Sequence, residues 1–260
     1  MFYKAFCILT LLMPCLASAV TPEERGLQIF QQADARASGF QDLEVDLTMI
    51  LRTGRGDESL RELRIKQLEV PDDGDKLLVV FDTPKAYRGS ALLSFSHKVE
   101  QDDQWLYLPA MKRVKKIASR NKSGPFLSSE FAFEDLTAQE VEKFDYRYET
   151  SEVLDGQPCY VVTRIPKDEY SGYTRQRVWL DEAEYRVQKI EYYDRKNSLL
   201  KTLTMNDYQL HEGKFWKAGR MFMVNHQTRK STELIWEHFR FRNGLSDQRD
   251  FSINSLRRVR

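Results

Sequence analysis

The sequence predicts a mainly β chain of α+β class, an antiparallel sheet preceded by one helix. Three observations predict it. Leu43, Val45, Leu47, Met49 and Leu51 alternate with Glu44, Asp46, Thr48 and Ile50, the period of two expected of a half-buried strand. Similar stretches recur to the C-terminus, separated by spacers short enough for hairpins, whereas parallel crossovers need about a dozen residues or more. Thr21-Pro22-Glu23-Glu24 has the form of a helix start: Thr21 caps, Pro22 suits the first helical position and Glu24 completes a capping box.

The elements follow in order. Residues 1–19 read as an export signal, with Lys4 at the start, a short apolar core over 6–13 and the small-x-small pattern Ala17-Ser18-Ala19. The apolar run is too short to span ~30 Å of hydrocarbon. Pro14 directly before Cys15 is a poor fit to lipid modification of that cysteine. The expected mature chain begins at Val20 and forms a single domain over 20–260. Lys4 is the only charge lost with the signal, so the 40 basic residues become 39 against 39 acidic ones. Bulk charge then argues for neither nucleic acid nor an anionic surface. Cys159 is left as the one cysteine, in the apolar run Pro158-Cys159-Tyr160-Val161-Val162, and is expected in the core.

The first helix should bury a face made of Leu27, Phe30, Ala33 and Ala37 and stop near Gly39. Strand patterns then run over 43–51, 60–69, 76–83, 90–97, 103–108 and 112–118. They resume over 143–154, 158–165, 173–180, 186–193, 199–209, 215–227 and 231–242. Asp72-Asp73-Gly74-Asp75, Asp155-Gly156, Asp181-Glu182-Ala183-Glu184 and Glu212-Gly213 are the turns between some of them. Two stretches, 103–108 and 219–224, carry large apolar residues on both faces. Either both faces are covered or one lines a cavity, which singles out Trp105, Tyr107, Met221, Phe222 and Met223 as candidate ligand contacts.

Residues 119–142 break the strand pattern. A polar stretch, 119–125, precedes Phe126, Leu127, Phe131, Phe133 and Leu136, interleaved with Ser128, Ser129, Glu130, Glu134 and Asp135. A connection this long inside a compact domain is a lid, a binding loop or a loop that tucks its phenylalanines into the core. In the lid reading Gly124-Pro125 is the hinge and Phe126, Phe131 and Phe133 plug an apolar groove while it is empty.

Catalytic patterns are sparse. His97, His211, His226 and His238 are dispersed with no metal-ligand spacing, and there is no nucleophile elbow, phosphate-binding glycine loop or dinucleotide fingerprint. No catalytic residue, metal or cofactor is expected. Lys112, Arg113, Lys115 and Lys116 crowd four positive charges into 112–117. On a strand they divide between two faces, which suits a solvated edge that resists edge-to-edge pairing. The functional reading is a dock for an acidic partner or for lipid head groups, with transient contact at a membrane surface.

The run Trp105-Leu106-Tyr107-Leu108-Pro109-Ala110-Met111-Lys112-Arg113-Val114 is followed by Ser123-Gly124-Pro125-Phe126 and Phe131-Ala132-Phe133-Glu134-Asp135-Leu136. This order resembles the outer-membrane lipoprotein-sorting, LolA-like family of periplasmic proteins, in the branch found alongside RND-type inner-membrane transporters. The resemblance implies a strongly curved antiparallel sheet forming an incomplete barrel, with helices and loops over its concave face. It also implies an apolar interior for lipid or lipoprotein acyl chains, a periplasmic location, a transporter partner and no catalytic residues. An envelope sensing or interaction module of the same fold, and a periplasmic hydrolase, are the other function classes. A filled interior would favour the first, and a cleft holding titratable groups with shifted pKa values the second.

Overall fold

The computed structural model describes residues 20–258, so the expected signal segment and its cleavage point lie outside the described residues. Helix α1 spans Pro22–Ala37. The predicted capping box is formed: Glu24 N donates to Thr21 Oγ1 (3.1 Å) and Thr21 N donates to Glu24 Oε2 (2.9 Å). The buried face differs from the expected one. Gly26, Ile29 and Phe30 point inward with Ala33 beside them, while Leu27 and Ala37 are exposed. Gly26 sets this rotation. A Cβ there would lie 2.8 Å from the backbone N of Tyr148, so only glycine lets α1 come this close to the sheet.

Thirteen antiparallel strands follow among the described residues: β1 (Asp42–Arg52), β2 (Glu58–Leu68), β3 (Lys76–Thr83), β4 (Ala91–Phe95), β5 (Asp103–Leu108), β6 (Arg113–Lys116), β7 (Phe144–Leu154), β8 (Gln157–Pro166), β9 (Tyr173–Asp181), β10 (Val187–Asp194), β11 (Leu199–His211), β12 (Phe215–Asn225) and β13 (Ser231–Phe241). They form one sheet in the order β6-β5-β4-β3-β2-β1-β13-β12-β11-β10-β9-β8-β7. Two meanders, β1–β6 and β7–β13, are therefore joined only where β1 pairs with β13. Turn chemistry sets the hairpins locally. Between β7 and β8, Asp155 and Gly156 both take positive φ (49° and 82°), the left-handed pair that a two-residue hairpin turn needs.

The sheet wraps without closing, leaving β6 and β7 as its two ends. Its curvature shows in the core. One apolar cluster takes Val45, Leu47 and Met49 from β1 and Leu63 and Ile65 from β2, and with them Val178 and Leu180 of β9, Ile190 and Tyr192 of β10 and Leu203 of β11. Only a sheet curled on itself brings those strands to one interior, so the fold is the incomplete barrel expected. Ile29 and Phe30 of α1 enter the same cluster from the β7 side.

The outer face is covered in one region. The C-terminal tail carries a short helix, α2 (Asp247–Asp250). It is anchored by the Asp42 carboxylate, which accepts from the backbone N of Asn243 (2.7 Å), Gly244 (3.0 Å) and Leu245 (3.2 Å). Phe251 and Leu256 then pack on Leu78, Val80, Ala91 and Leu93, with Trp105 and Tyr107 alongside. Strand 103–108 is apolar on both faces because both faces are covered.

Candidate functional site

The connection from β6 to β7, residues 117–143, crosses the concave face as a chain of short 3-10 turns. Its middle folds back on itself. Phe126 N donates to Phe131 O (2.7 Å), Phe133 N to Gly124 O (3.1 Å) and Glu134 N to Lys122 O (2.9 Å). Leu127 and Ser128, at the tip, hold left-handed backbone angles (φ 45° and 69°) that cost side-chain-bearing residues energy. The expected hinge residue Gly124 does not take a positive φ; the strain sits three residues further on.

Apolar and polar contacts both hold this segment down. Phe126 is fully buried between the rings of Phe81 (5.7 Å) and Phe133 (5.6 Å), and Phe131 is buried in the same core. Asp135 is fixed by Lys201 Nζ (2.7 Å) and by the Tyr173 hydroxyl (3.0 Å), an ion pair with side chains only 7% and 4% exposed. Glu134 accepts from Ser171 Oγ (2.7 Å) and Gly172 N (2.9 Å). Burial, then the neighbouring charge of Asp135, pushes the Glu134 carboxyl up to about 7. Gln104 Nε2 donates to Phe133 O (2.8 Å), and Arg61 Nη1, from β2, donates to Leu127 O (2.6 Å) at the tip.

Beneath this roof lies an apolar cavity of about 270 Å³. One wall is Leu47, Met49, Leu63, Ile65 and Val79 from β1–β3; the opposite wall is Ile190, Tyr192, Leu203, Met221, Leu234 and Trp236 from β10–β13. Phe126, Phe131 and residues 135–139 form the ceiling, and Arg164 of β8 reaches the lining. The volume falls just below the ~300–1,000 Å³ usual for small-molecule sites.

The expected ligand contacts divide. Phe126, Phe131 and Met221 line the cavity. Phe133 packs against Phe126 behind the ceiling, and Met223 is buried in the surrounding core. Phe222 alternates with these methionines onto the outer face of β12. Trp105 and Tyr107 lie on the outer face under the C-terminal tail. The basic run maps to the sheet end: Lys112 ends the β5–β6 turn with φ 49°, and Arg113, Lys115 and Lys116 are exposed on edge strand β6. Lys116 pairs with Asp103 (2.6 Å). Cys159 is fully buried against Val161 and Trp179, and burial pushes its thiol up to about 11.

Arg164 is the site residue that the sequence reading missed. Its side chain is buried against Phe144 (4.4 Å) and Phe30 (5.4 Å), and burial lowers its pKa. The signal was available, because alternation along β8 puts Arg164 on the inner face with Val162 and Tyr160. Among the described residues no group of three or more His, Cys, Asp or Glu side chains could hold a metal ion, and no helix is long and apolar enough to cross a membrane.

A family model described as an uncharacterized protein matches residues 73–258. No curated protein matches the chain. Among solved structures, a domain from Vibrio parahaemolyticus, described as a candidate outer membrane lipoprotein-sorting protein, is 50% identical, with 90% of this chain and 99% of that chain covered and a TM-score of 0.88. A DUF1329 family protein from Desulfovibrio piger is 27% identical, covering 91% of this chain and 99% of its own, with a TM-score of 0.86. A LolA superfamily protein from Nitrosomonas europaea shares the fold at 19% identity and a TM-score of 0.72, with 91% of this chain and all of that one covered. The chain belongs to the outer membrane lipoprotein-sorting protein family and shares the fold of the LolA superfamily protein.

Proposed function

We propose that the protein is a non-enzymatic periplasmic carrier that holds a lipid or lipoprotein acyl chain in the cavity beneath the crossing segment. The observation that carries this reading is the apolar cavity on the concave face, walled by both meanders and roofed by Phe126 and Phe131. Acyl chains gain about 0.8 kcal/mol per buried methylene, so even part of a chain binds usefully there. At about 270 Å³ the cavity is small for a whole chain, and the roof must yield to admit one. The tip at 126–129 is the end that moves, because its polar tie to the sheet is Arg61 to Leu127 O, whereas Glu130 is held by Thr232, Lys201 and Asn225, and 134–135 by the Lys201 pair and by Ser171 and Gly172.

Export with cleavage after Ala19 delivers residues 20–260 to the periplasm as a single domain. The exposed basic edge of β6, with Lys112, Arg113, Lys115 and Lys116, docks an acidic surface of an RND-type inner-membrane transporter. Burial also raises the carboxyls of Asp34, Asp75 and Glu140, which line a separate cleft, and Glu134, with its raised pKa, is a further feature that favours a hydrolase. Its carboxyl is engaged by Ser171 and Gly172 and does not line the apolar cavity, so we read it as part of the roof's anchorage.

Lipid extraction from the exported protein, followed by mass spectrometry, tests the carrier reading. Met221→Asp should empty the cavity of copurifying lipid, while Phe222→Asp, one residue away on the outer face, should leave the lipid in place. Equal retention in both folded variants would mean that the ligand does not occupy this cavity.

A further inference from the structure

We infer that the cavity takes a free anionic acyl lipid, one bearing a carboxylate or phosphate head, and that Arg164 is the residue that binds the head. This rests on the carrier reading and narrows it, because chains linked to a lipoprotein by ester or amide bonds bring no such charge.

One charge in the cavity wall is unbalanced. Arg164 is 5% exposed, reaches the cavity lining and stands among aromatic rings, yet no carboxylate lies within ion-pair distance of it among the described residues. Its guanidinium donates only to neutral groups, from Nε to Gln176 Oε1 (2.7 Å) and from Nη2 to Gln139 Oε1 (3.4 Å). A buried cation is normally paired, and leaving one unpaired costs several kcal/mol. The two acidic residues of the lining do not neutralise it. Asp135 is committed to Lys201 and Tyr173, and Asp75 accepts from Gln67 Nε2 (2.9 Å) and from Val70 N (3.3 Å). The two glutamines hold the guanidinium from Nε and Nη2 without neutralising it. An incoming anionic oxygen then completes the pair, the planar guanidinium being suited to carboxylate and phosphate alike. The same lining holds a second unmet donor, the buried indole Nε1 of Trp236, which has no partner among the described residues. Arg61 shows the contrast: it is equally buried, but its Nη1 is spent on the roof at Leu127 O and it does not line the cavity.

The test compares palmitate, hexadecyl phosphate and hexadecanol, three ligands of equal chain length, titrated into delipidated wild-type protein and into Arg164→Gln and Arg164→Lys. Wild type should bind at least one of the two anions about tenfold or more tighter than the alcohol, the gain of a charge-assisted pair. Whichever anion it prefers identifies the head. Arg164→Gln should erase that preference without weakening hexadecanol, and Arg164→Lys should restore part of it. If wild type binds all three alike, the head-group inference falls and the carrier reading stands. If it binds none, both fall. Should Arg164→Gln not fold, the wild-type comparison alone decides the matter.

Discussion

Replacing Glu134 with glutamine should change how stability depends on pH, and the structure gives both sign and size. The Glu134 carboxyl is lifted from 4.5 to about 7, first by burial and then by the adjacent Asp135 charge. Between those values the folded protein keeps a proton that the unfolded chain has released. Stability therefore falls as pH rises from about 4.5 to about 7 and levels off above. The full displacement corresponds to about 3 kcal/mol, and water reaching the half-buried group lowers this toward ~2 kcal/mol. Glutamine is always neutral, still accepts from Gly172 N through its amide oxygen and can donate to Ser171 Oγ, so the geometry survives while the titration disappears. Urea unfolding of both proteins at pH 5 and pH 8 measures the effect. The variant should be more stable by less than about 1 kcal/mol at pH 5 and by about 2–3 kcal/mol at pH 8. Glu140, which also titrates at about 7, is common to both proteins and cancels in the difference. Parallel profiles would refute the assignment, since Glu134 would then ionise as freely in the folded chain as in the unfolded one.

Two further outcomes test the roof. Phe126→Ala should cost about 3–5 kcal/mol in urea unfolding, because a fully buried ring between Phe81 and Phe133 leaves a cavity when removed; a loss under ~1 kcal/mol would mean that the ring is not packed there. The depth of this burial also makes serine replacement of Phe126, Phe131 and Phe133 together a probe of stability before it is a probe of ligand exchange. Lys201→Met should cost about 3–5 kcal/mol by leaving Asp135 buried and unpaired, and adding Asp135→Asn should recover much of that loss; additive losses would show that the pair does not act as a unit.

How far the sequence could be read depended on whether an element is defined by its own residues or by what packs on it. The strands were legible because period-two alternation and turn residues are local: each of the thirteen matches a predicted stretch to about two residues. The helix was legible at its N-terminus, where Thr21 and Glu24 satisfy each other, and less so in its facing. Periodicity alone favoured Leu27, whereas Gly26 turns the helix by its close approach to Tyr148. Trp105 and Tyr107 carried the right information, a second apolar face, but its cause is Phe251 and Leu256, far along the chain. The crossing segment could be recognised by its interleaved phenylalanines, while its path depends on partners such as Lys201, Ser171 and Arg61 that no local pattern connects to it. Arg164 was passed over because an arginine near a strand end is ordinarily a solvated one, and only the strand's register marks it as inward.

The topology explains why a cavity with a displaceable roof arises here. The two open ends of the sheet, β6 and β7, are consecutive in the chain, but 117–143 lie between them, too many residues for a hairpin that would pair the ends and close the barrel. Each end is protected in another way. Charged side chains line β6, and α1 packs against β7 with Gly26 at the contact. The long connection is thus free to cross the concave mouth. Its middle pairs with itself, through Phe126 to Phe131 and the Pro125–Ala132 bridge, and adds no strand to the sheet, which it meets through Ile117 N on Gln104 O and Glu130 N on the Thr232 hydroxyl. Lifting its tip leaves the strand ladder intact, because what has to break is side-chain packing at Phe126 and Phe131, the Arg61 bond at Leu127 and the bonds of Glu130 to Thr232, Lys201 and Asn225. An acyl chain entering below replaces apolar packing of the same kind, so the ligand itself offsets much of the cost of displacing the roof.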